Sequence, residues 1–172
     1  MSQSPRHSVE QHLPTGLQPH VFERTFRIAR PRSQVWQLLN DPSTFTRGQL
    51  FPFRVEFVEK NGSAGGFLPG TQTVHHGPAL NCAGLITEVR APEYRDLQYY
   101  YGSYIFTLRW IRPTRLEFFF EEIAGGGTHV RLRVSCYVRR WMAAPWTGMQ
   151  AVFWSQFGWN IRMVLAWRGL FR

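Results

Sequence analysis

The chain contains almost no lysine. Of its 20 basic residues only Lys60 is a lysine, and with 11 acidic residues the formal net charge is +9 over 172 residues. Such an excess of positive charge suits an acidic partner, for example a nucleic acid or an anionic membrane surface. The arginines are scattered instead of forming a block, so an arginine bias in the coding genome explains them equally well. We therefore expect no nucleic-acid partner and leave peripheral contact with an anionic membrane open.

Cysteine is also scarce. Cys82 and Cys136 are the only two, and both lie in strand-like stretches without a CxxC pair. The N-terminus lacks the apolar segment of a secretory signal, so nothing indicates an oxidising compartment. The sequence predicts a cytoplasmic protein with two reduced cysteines in its core.

Several motifs of common chemistry are missing. The sequence has no GxSxG, no HExxH and no pair of carboxylates at catalytic spacing. The glycines 125–127 lack the lysine and following helix of a phosphate-binding loop, so they predict a hairpin turn. His75 and His76 are adjacent in a strand and cannot both bind one ion, and no third ligand stands at a recognisable spacing. We expect no metal and no cofactor.

The C-terminal stretch is the most informative part of the chain. From about Thr147 to Phe171, apolar residues recur at helical spacing, which predicts one long amphipathic helix. The stretch from Trp141 to Ile161 has no charged residue and is long enough to span a membrane, but its several polar and glycine residues disfavour a spanning helix. The residues predicted to face inward are Met149, Phe153, Phe157, Ile161 and Val164.

Two polar residues, Gln156 and Asn160, interrupt this predicted inward face one turn apart. A buried amide without hydrogen-bond partners costs about 1–3 kcal/mol. We therefore expect the pair either to meet polar neighbours or to contact a ligand.

The rest of the sequence predicts a sheet. Residues 1–19 are polar and carry several prolines, which predicts a disordered tail, and residues 20–172 are expected to form one domain. A strand at His20–Ala29 precedes two short helices, one from Pro31 to before Asp41 and one from Pro42 to about Arg47. Further strands are predicted at 54–60, 70–76, 81–91, 95–101, 104–112, 115–123 and 128–139.

Two hairpins are expected near the end of this sheet. Pro113 and Thr114 predict one turn, between strands 104–112 and 115–123. In the last hairpin, Glu117 and Glu121 are expected to face outward opposite Arg131 and Arg133. Strands grouped together with helices at the ends indicate an α+β fold, a curved antiparallel sheet of about seven strands wrapped on the long C-terminal helix.

This order of elements resembles the START-like superfamily, the helix-grip group of polyketide cyclases and small lipid-transfer proteins. The stretches that carry the resemblance are FERTFRIARPRSQVWQLLNDPSTF, GFLPGTQTV, LITEVRAPEYRDLQYYYG and GGGTHVRLRV. The resemblance implies an apolar cavity between the sheet and the terminal helix. It implies no universal catalytic residue, because the superfamily contains both carriers and enzymes.

The candidate ligand contacts are residues expected to face that cavity. If Val74 faces inward, so does His76. Because the ordinary pKa of histidine lies near neutral, a histidine in the cavity could act as a general acid or base in an enzyme. Tyr99 and Tyr101 are expected to share a face and to orient a polar group of a ligand. The complete predicted set is His76, Thr87, Tyr99, Tyr101, Phe106, Trp110, Phe118, Gln156 and Asn160.

These observations favour a protein that binds a hydrophobic small molecule, such as a lipid, an isoprenoid or quinone, or an aromatic polyketide. The alternative is an enzyme of the cyclase or dehydratase type, in which His76 or a tyrosine moves a proton. A second alternative is a peripheral membrane or nucleic-acid binder that acts through its arginines. The arginines and the tryptophans Trp141, Trp146, Trp154 and Trp159 are the residues on which membrane contact would depend.

Overall fold

A computed structural model describes residues 11–47, 54–58, 66–77, 80–104 and 110–170 of the chain. The strands form one seven-stranded antiparallel sheet in the order β1-β7-β6-β5-β4-β3-β2, and the predicted α+β fold with a long C-terminal helix is confirmed. The elements in chain order are β1 (Gln18–Ile28), α1 (Arg32–Leu39), α2 (Pro42–Arg47), β2 (Arg54–Val58), β3 (Gln72–Gly77), β4 (Leu80–Arg90), β5 (Tyr94–Tyr104), β6 (Ile111–Ile123), β7 (Gly127–Val138), a 3-10 turn (Arg140–Met142) and α3 (Ala143–Leu170).

The two short helices predicted after the first strand are confirmed. Helix α1 follows Pro31 and buries Val35, Leu38 and Leu39 in the main core. Trp36 packs edge-on against Phe120 of β6, with ring centroids 5.1 Å apart. The helical spacing of these apolar residues therefore determines which side of α1 packs against the sheet.

Helix α3 lies against β1, and a glycine sets how close the two come. A Cβ atom at Gly158 would lie 2.4 Å from the ring of Phe26, so a larger residue would push the helix away. Nη1 of Arg24 donates to the backbone carbonyl of Ala151 at 2.8 Å. These contacts fix both the distance and the rotation of α3.

The side of α3 predicted to face inward is wrong in most positions. Met149, Phe153 and Val164 are 47%, 58% and 39% exposed. The pattern was ambiguous because α3 is apolar around most of its circumference, so the contacts with β1 decide the rotation. The side chains that face the sheet are Trp146, Gln150, Trp154, Phe157 and Ile161.

The described helices include none that is long and apolar enough to cross a membrane.

Strand β6 is continuous through the position where a hairpin was predicted. Pro113 pairs with Cys136 of β7, and the register shifts between Pro113 and Arg115. The prediction of a turn at Pro113 and Thr114 is therefore wrong: the proline occupies a bulge, where its missing N–H is tolerated. The predicted glycine turn between β6 and β7 is confirmed, with positive φ at Gly125 and Gly126.

The outer face of the sheet carries a network of polar side chains around Asp96. Asp96 is 1% exposed and accepts hydrogen bonds from Arg115 Nε at 2.7 Å and from Thr87 Oγ1 at 2.6 Å. Arg133 lies 3.8 Å from Glu117, close to the pairing predicted for this hairpin. These charges are satisfied by each other on the outer face, away from α3.

The N-terminal segment packs against the sheet from residue 11 onward. Strand β1 begins at Gln18, so the tail boundary predicted at residue 19 falls inside a strand. Nε2 of Gln11 donates to the backbone carbonyl of Tyr99 and, at 3.0 Å, to that of Pro113. The first ten residues lie outside the described residues.

Candidate ligand site in the interior

Four strands place a row of side chains on the inner face of the sheet. Phe57 pairs with Thr73, Thr73 with Gly84, and Gly84 with Tyr99. Directly paired residues of antiparallel strands point to the same face. The row therefore runs from β2 to β5 across the interior, with two large rings at its ends and two small residues between them.

A cluster of aromatic rings adjoins this row at Phe57. Phe45 of α2 lies 6.2 Å from Phe57, 5.7 Å from Phe67 and 6.0 Å from Phe157 of α3. Phe118 of β6 lies 6.3 Å from Phe157. Residues from a short helix, from the sheet and from the terminal helix thus meet in one aromatic cluster, which is the kind of lining that suits a flat apolar ligand.

The prediction that His76 faces the interior is wrong, and His75 takes that position. His76 is half exposed and lies 3.9 Å from Glu56. Thr73, not Val74, is the fully buried residue of β3, and residues two apart on a strand share a face. His75 therefore points inward with Thr73, whereas Val74 and His76 point outward.

His75 and Thr73 each bring an unpaired polar atom into the interior. Nε2 of His75 and Oγ1 of Thr73 are buried and have no hydrogen-bond partner among the described residues. Burial, with a smaller contribution from His76, lowers the pKa of His75 from 6.5 to about 4. At neutral pH the imidazole is therefore uncharged, and it can donate or accept one hydrogen bond through Nε2 according to its tautomer.

Tyr99 faces the interior, but Tyr101 does not share its face. Tyr99 is 1% exposed and Tyr101 is 50% exposed. The two pair with consecutive residues of β4, Gly84 and Ala83, so one residue of β5 is extra and the alternation reverses. The prediction that Tyr101 shares the inner face with Tyr99 is therefore wrong, because period-two alternation does not continue through a bulge.

Arg95 is the one charge of β5 that enters the interior. It is 5% exposed, and its guanidinium lies over the rings of Phe45, Phe67 and Phe118 at 5.4, 4.3 and 4.9 Å. Nη1 donates to the backbone carbonyl of Leu39 at the end of α1. Burial lowers the pKa of Arg95 to about 9, and the nearby Tyr99 opposes this shift.

The other predicted contacts lie in different parts of the structure. Phe118 faces the interior, 1% exposed. Thr87 is bound to Asp96 on the outer face, and Trp110 packs against Trp141 at 5.2 Å, outside the core. Gln156 and Asn160 are exposed on the far side of α3; their predicted inward orientation is wrong because the helix is rotated. Phe106 lies outside the described residues.

The buried amide of α3 is Gln150 instead. Its Oε1 accepts a hydrogen bond from Nε1 of Trp154, 2.5 Å away. Within the described part of the chain, no three His, Cys, Asp or Glu side chains are grouped to hold a metal ion.

Sequence reasoning missed Arg95 and Thr73 as interior residues. A signal for Arg95 was present, because it lies in phase with Leu97 and Tyr99 on β5. Its charge argued against burial, since an arginine is almost never fully buried without a partner. Thr73 had no comparable signal, because the neighbouring Val74 is the more apolar residue.

The chain is similar to solved structures, although no protein-family model and no curated protein sequence matches it. A truncated norcoclaurine synthase from Thalictrum flavum has a TM-score of 0.62 at 12% identity, over 88% of this chain and 97% of that one. Ara h 8.0201 has a TM-score of 0.61 at 16% identity, over 87% and 99%. CalU16 from Micromonospora echinospora has a TM-score of 0.52 at 14% identity, over 84% and 85%.

These similarities show the fold. The chain shares the fold of these structures, a curved antiparallel sheet with a long C-terminal helix, which is the fold that the sequence resemblance implied. A point mutant of the Thalictrum norcoclaurine synthase, solved in complex with a transition-state analogue, has a TM-score of 0.61 at 12% identity, over 90% of this chain and 99% of that one. At these identities the fold is shared, and the chemistry has to be argued from the side chains described above.

Proposed function

We propose that the protein binds a hydrophobic small molecule between the inner face of the sheet and helix α3. The observation that carries the proposal is a pair of buried polar atoms on β3, Oγ1 of Thr73 and Nε2 of His75, which have no hydrogen-bond partner among the described residues and lie close to aromatic rings. Leaving a buried polar group unpaired costs about 1–3 kcal/mol. A ligand with one or two polar atoms would remove that cost.

The apolar surroundings supply most of the affinity in this proposal. Burying apolar ligand surface contributes about 25 cal/mol per Å². The rings of Phe45, Phe67 and Phe157 would contact the body of the ligand, and His75, Thr73 and Tyr99 would orient its polar atoms. Norcoclaurine synthase, which has the same fold, supports the proposal because it was solved with a bound small molecule.

A filling substitution tests whether the interior takes up a ligand. N-phenyl-1-naphthylamine, a neutral dye that fluoresces in apolar sites, is the probe. We expect Thr73→Phe to fold and to weaken dye binding at least tenfold, because the added ring occupies the proposed ligand volume. Gln72→Phe is the matched control, since Gln72 is exposed on the same strand. Equal dye binding by Thr73→Phe and wild type would contradict an interior site.

A cyclase or dehydratase activity is the catalytic alternative. It would depend on His75 instead of His76, because His75 is the histidine that faces the interior. The observation in its favour is the contact between His75 and Tyr99, two titratable side chains with ring centroids 5.7 Å apart in the interior. An imidazole that is neutral at pH 7 can accept a proton from a bound substrate. Once a substrate is found, His75→Asn should abolish turnover while His76→Asn preserves it; turnover by both variants would exclude this role.

The outward face of α3 favours an additional peripheral contact with an anionic membrane. Val152, Phe153 and Trp159 are 62%, 58% and 62% exposed. Arg140 and Arg162 are also exposed, and no acidic residue follows Glu122 in the sequence. An apolar helix face with basic neighbours suits the surface of an anionic bilayer.

Vesicle flotation tests this contact. We expect the protein to float with vesicles that contain phosphatidylglycerol and not with pure phosphatidylcholine, and added salt should weaken the association. Trp159→Ser should reduce flotation, whereas Val21→Ser, at an exposed position of β1, should not. Failure to float with either vesicle at low salt would exclude a membrane surface as the partner.

A further inference from the structure

The interior contains a positive charge, Arg95, that forms no ion pair with any described residue. Arg95 is almost completely buried between α2 and the sheet. The next residue, Asp96, points to the opposite face and is engaged by Arg115. Within the described residues Arg95 forms no ion pair, and its hydrogen bond is the one from Nη1 to the Leu39 carbonyl.

The neighbours of Arg95 compensate its charge only in part. The Leu39 carbonyl lies at the C-terminal end of α1, where the helix dipole carries roughly half a negative charge. The rings of Phe67 and Phe118 add cation–π attraction. A buried cation without an anion is normally strongly destabilising, and an apolar side chain of similar size is often as stable or more so. Packing alone therefore does not explain why an arginine stands here.

The position of Arg95 relates it to the proposed ligand site. Arg95, Leu97 and Tyr99 alternate along one face of β5, so Arg95 lies at one end of that face and Tyr99 at the other. Phe45 and Phe67, which contact the guanidinium, also line the aromatic cluster. If a ligand bound Arg95 through an anionic group, its apolar body would thus lie directly against these rings.

We infer that the ligand is an amphipathic acid, whose carboxylate pairs with Arg95 and whose apolar body lies among Phe45, Phe67 and Phe157. This inference rests on the proposed function and specifies the ligand's chemistry. An arginine binds a carboxylate through charge-assisted hydrogen bonds along its N–H edge. His75 and Thr73 lie on β3, which is separated from β5 by β4, and they would meet a second polar atom further along the ligand.

The test compares two molecules that differ only at the head group. Dodecanoic acid and dodecan-1-ol are titrated at pH 8 as competitors of N-phenyl-1-naphthylamine. We expect the acid to bind wild-type protein at least about tenfold more tightly than the alcohol. Arg95→Met should abolish this preference and leave the affinity for the alcohol within about twofold.

Two further variants control the comparison. Arg27→Met removes the same charge from an exposed position of β1, so it should retain the preference if the effect is local and not due to net charge. Should Arg95→Met not fold, Arg95→Gln replaces it, because it retains a donor for the Leu39 carbonyl; the same loss of preference is expected.

The outcomes separate this inference from the proposed function. If the dye binds and the acid competes no better than the alcohol, the acidic ligand is excluded while an interior site stands. A preference that survives in the Arg95 variant also excludes it, because the acid would then pair elsewhere. If neither the dye nor either competitor binds, the proposed function itself fails.

Discussion

The imidazole of His75 lies 5.7 Å from the ring of Tyr99, edge-on, although β4 runs between the strands that carry them. The contact is possible because β4 presents only small side chains to the interior at this point, Cys82 opposite His75 and Gly84 opposite Tyr99. A Cβ atom at Gly84 would lie 3.1 Å from the ring of Tyr99. The small residues of β4 thus create the place where a polar side chain from β3 meets the aromatic interior.

Protonation of His75 should destabilise the fold in mildly acidic solution. Its pKa is about 4 in the folded protein and 6.5 as the ordinary value, so between these values the unfolded chain binds a proton that the folded chain does not. The resulting stability is fully present above pH 6.5 and is lost as the pH falls toward 4. From pH 7 to pH 5 we expect His75 to account for a loss of about 2 kcal/mol.

Urea unfolding at both pH values measures this loss. Between pH 7 and pH 5, His75→Asn should lose less stability than the wild type by that amount, whereas His76→Asn should follow the wild type. A wild-type pH dependence that is unchanged in His75→Asn would show that the imidazole is not held neutral by burial.

The two tyrosines flanking the β5 bulge should differ in their contribution to stability. Tyr99→Leu removes a ring that is 1% exposed, and we expect a loss of about 1.5–3 kcal/mol in urea unfolding. Tyr101→Leu alters a side chain that is half exposed on the opposite face, and the change should stay within about 0.5 kcal/mol. Equal losses would mean that β5 continues its alternation without the bulge.

Asp96 should be a major contributor to stability on the outer face. Asp96→Asn removes the charge that pairs with Arg115 and accepts hydrogen bonds from Thr87 and Gln98. We expect a loss of about 2–4 kcal/mol, because Asp96 is 1% exposed and the substitution removes the buried, hydrogen-bonded member of the ion pair. Glu88→Gln is the control: its pairing with Arg90 at 3.0 Å is exposed, so its effect should stay below about 1 kcal/mol. Similar small effects for both would refute the importance of burial here.

Two glycines of α3 should respond in opposite directions to alanine. Gly158→Ala places a Cβ atom 2.4 Å from the ring of Phe26 and should cost about 1–3 kcal/mol through overpacking. Gly148→Ala meets no atom within 4 Å and should stabilise the helix by about 0.5–1 kcal/mol. Thermal unfolding of both variants measures the difference, and a stabilising Gly158→Ala would show that α3 does not lie this close to β1.

The sheet could be predicted from the sequence because its strands alternate regularly. The alternation of β1 and of the β6–β7 hairpin decides which residues face inward, and Phe118 was placed correctly on that basis. Prediction failed where the alternation is interrupted: the bulge between Tyr99 and Tyr101 reverses the phase, and the bulge at Pro113 resembles a turn. Both interruptions depend on pairing with a neighbouring strand, which a single strand's sequence does not reveal.

The site itself was harder to predict because hydrophobicity gave the wrong choice at two positions. On β3, Val74 is more apolar than Thr73 or His75, yet Val74 points outward. His76, two residues further along the strand, points outward as well. On α3, apolar residues surround most of the helix, so Gln156 and Asn160 could not be oriented without the contact between Gly158 and Phe26. In both elements, the decisive contacts join residues far apart in the sequence.

The most direct test of a ligand in the interior is native mass spectrometry of the protein purified from its own host, followed by denaturing extraction of whatever is released. We predict one apolar molecule per chain, with an acidic group as the Arg95 inference requires. A neutral apolar molecule at that stoichiometry would uphold the binding function and contradict the role of Arg95. Protein that carries no ligand and gains no thermal stability from fatty acids, quinones or polyketides would contradict the account.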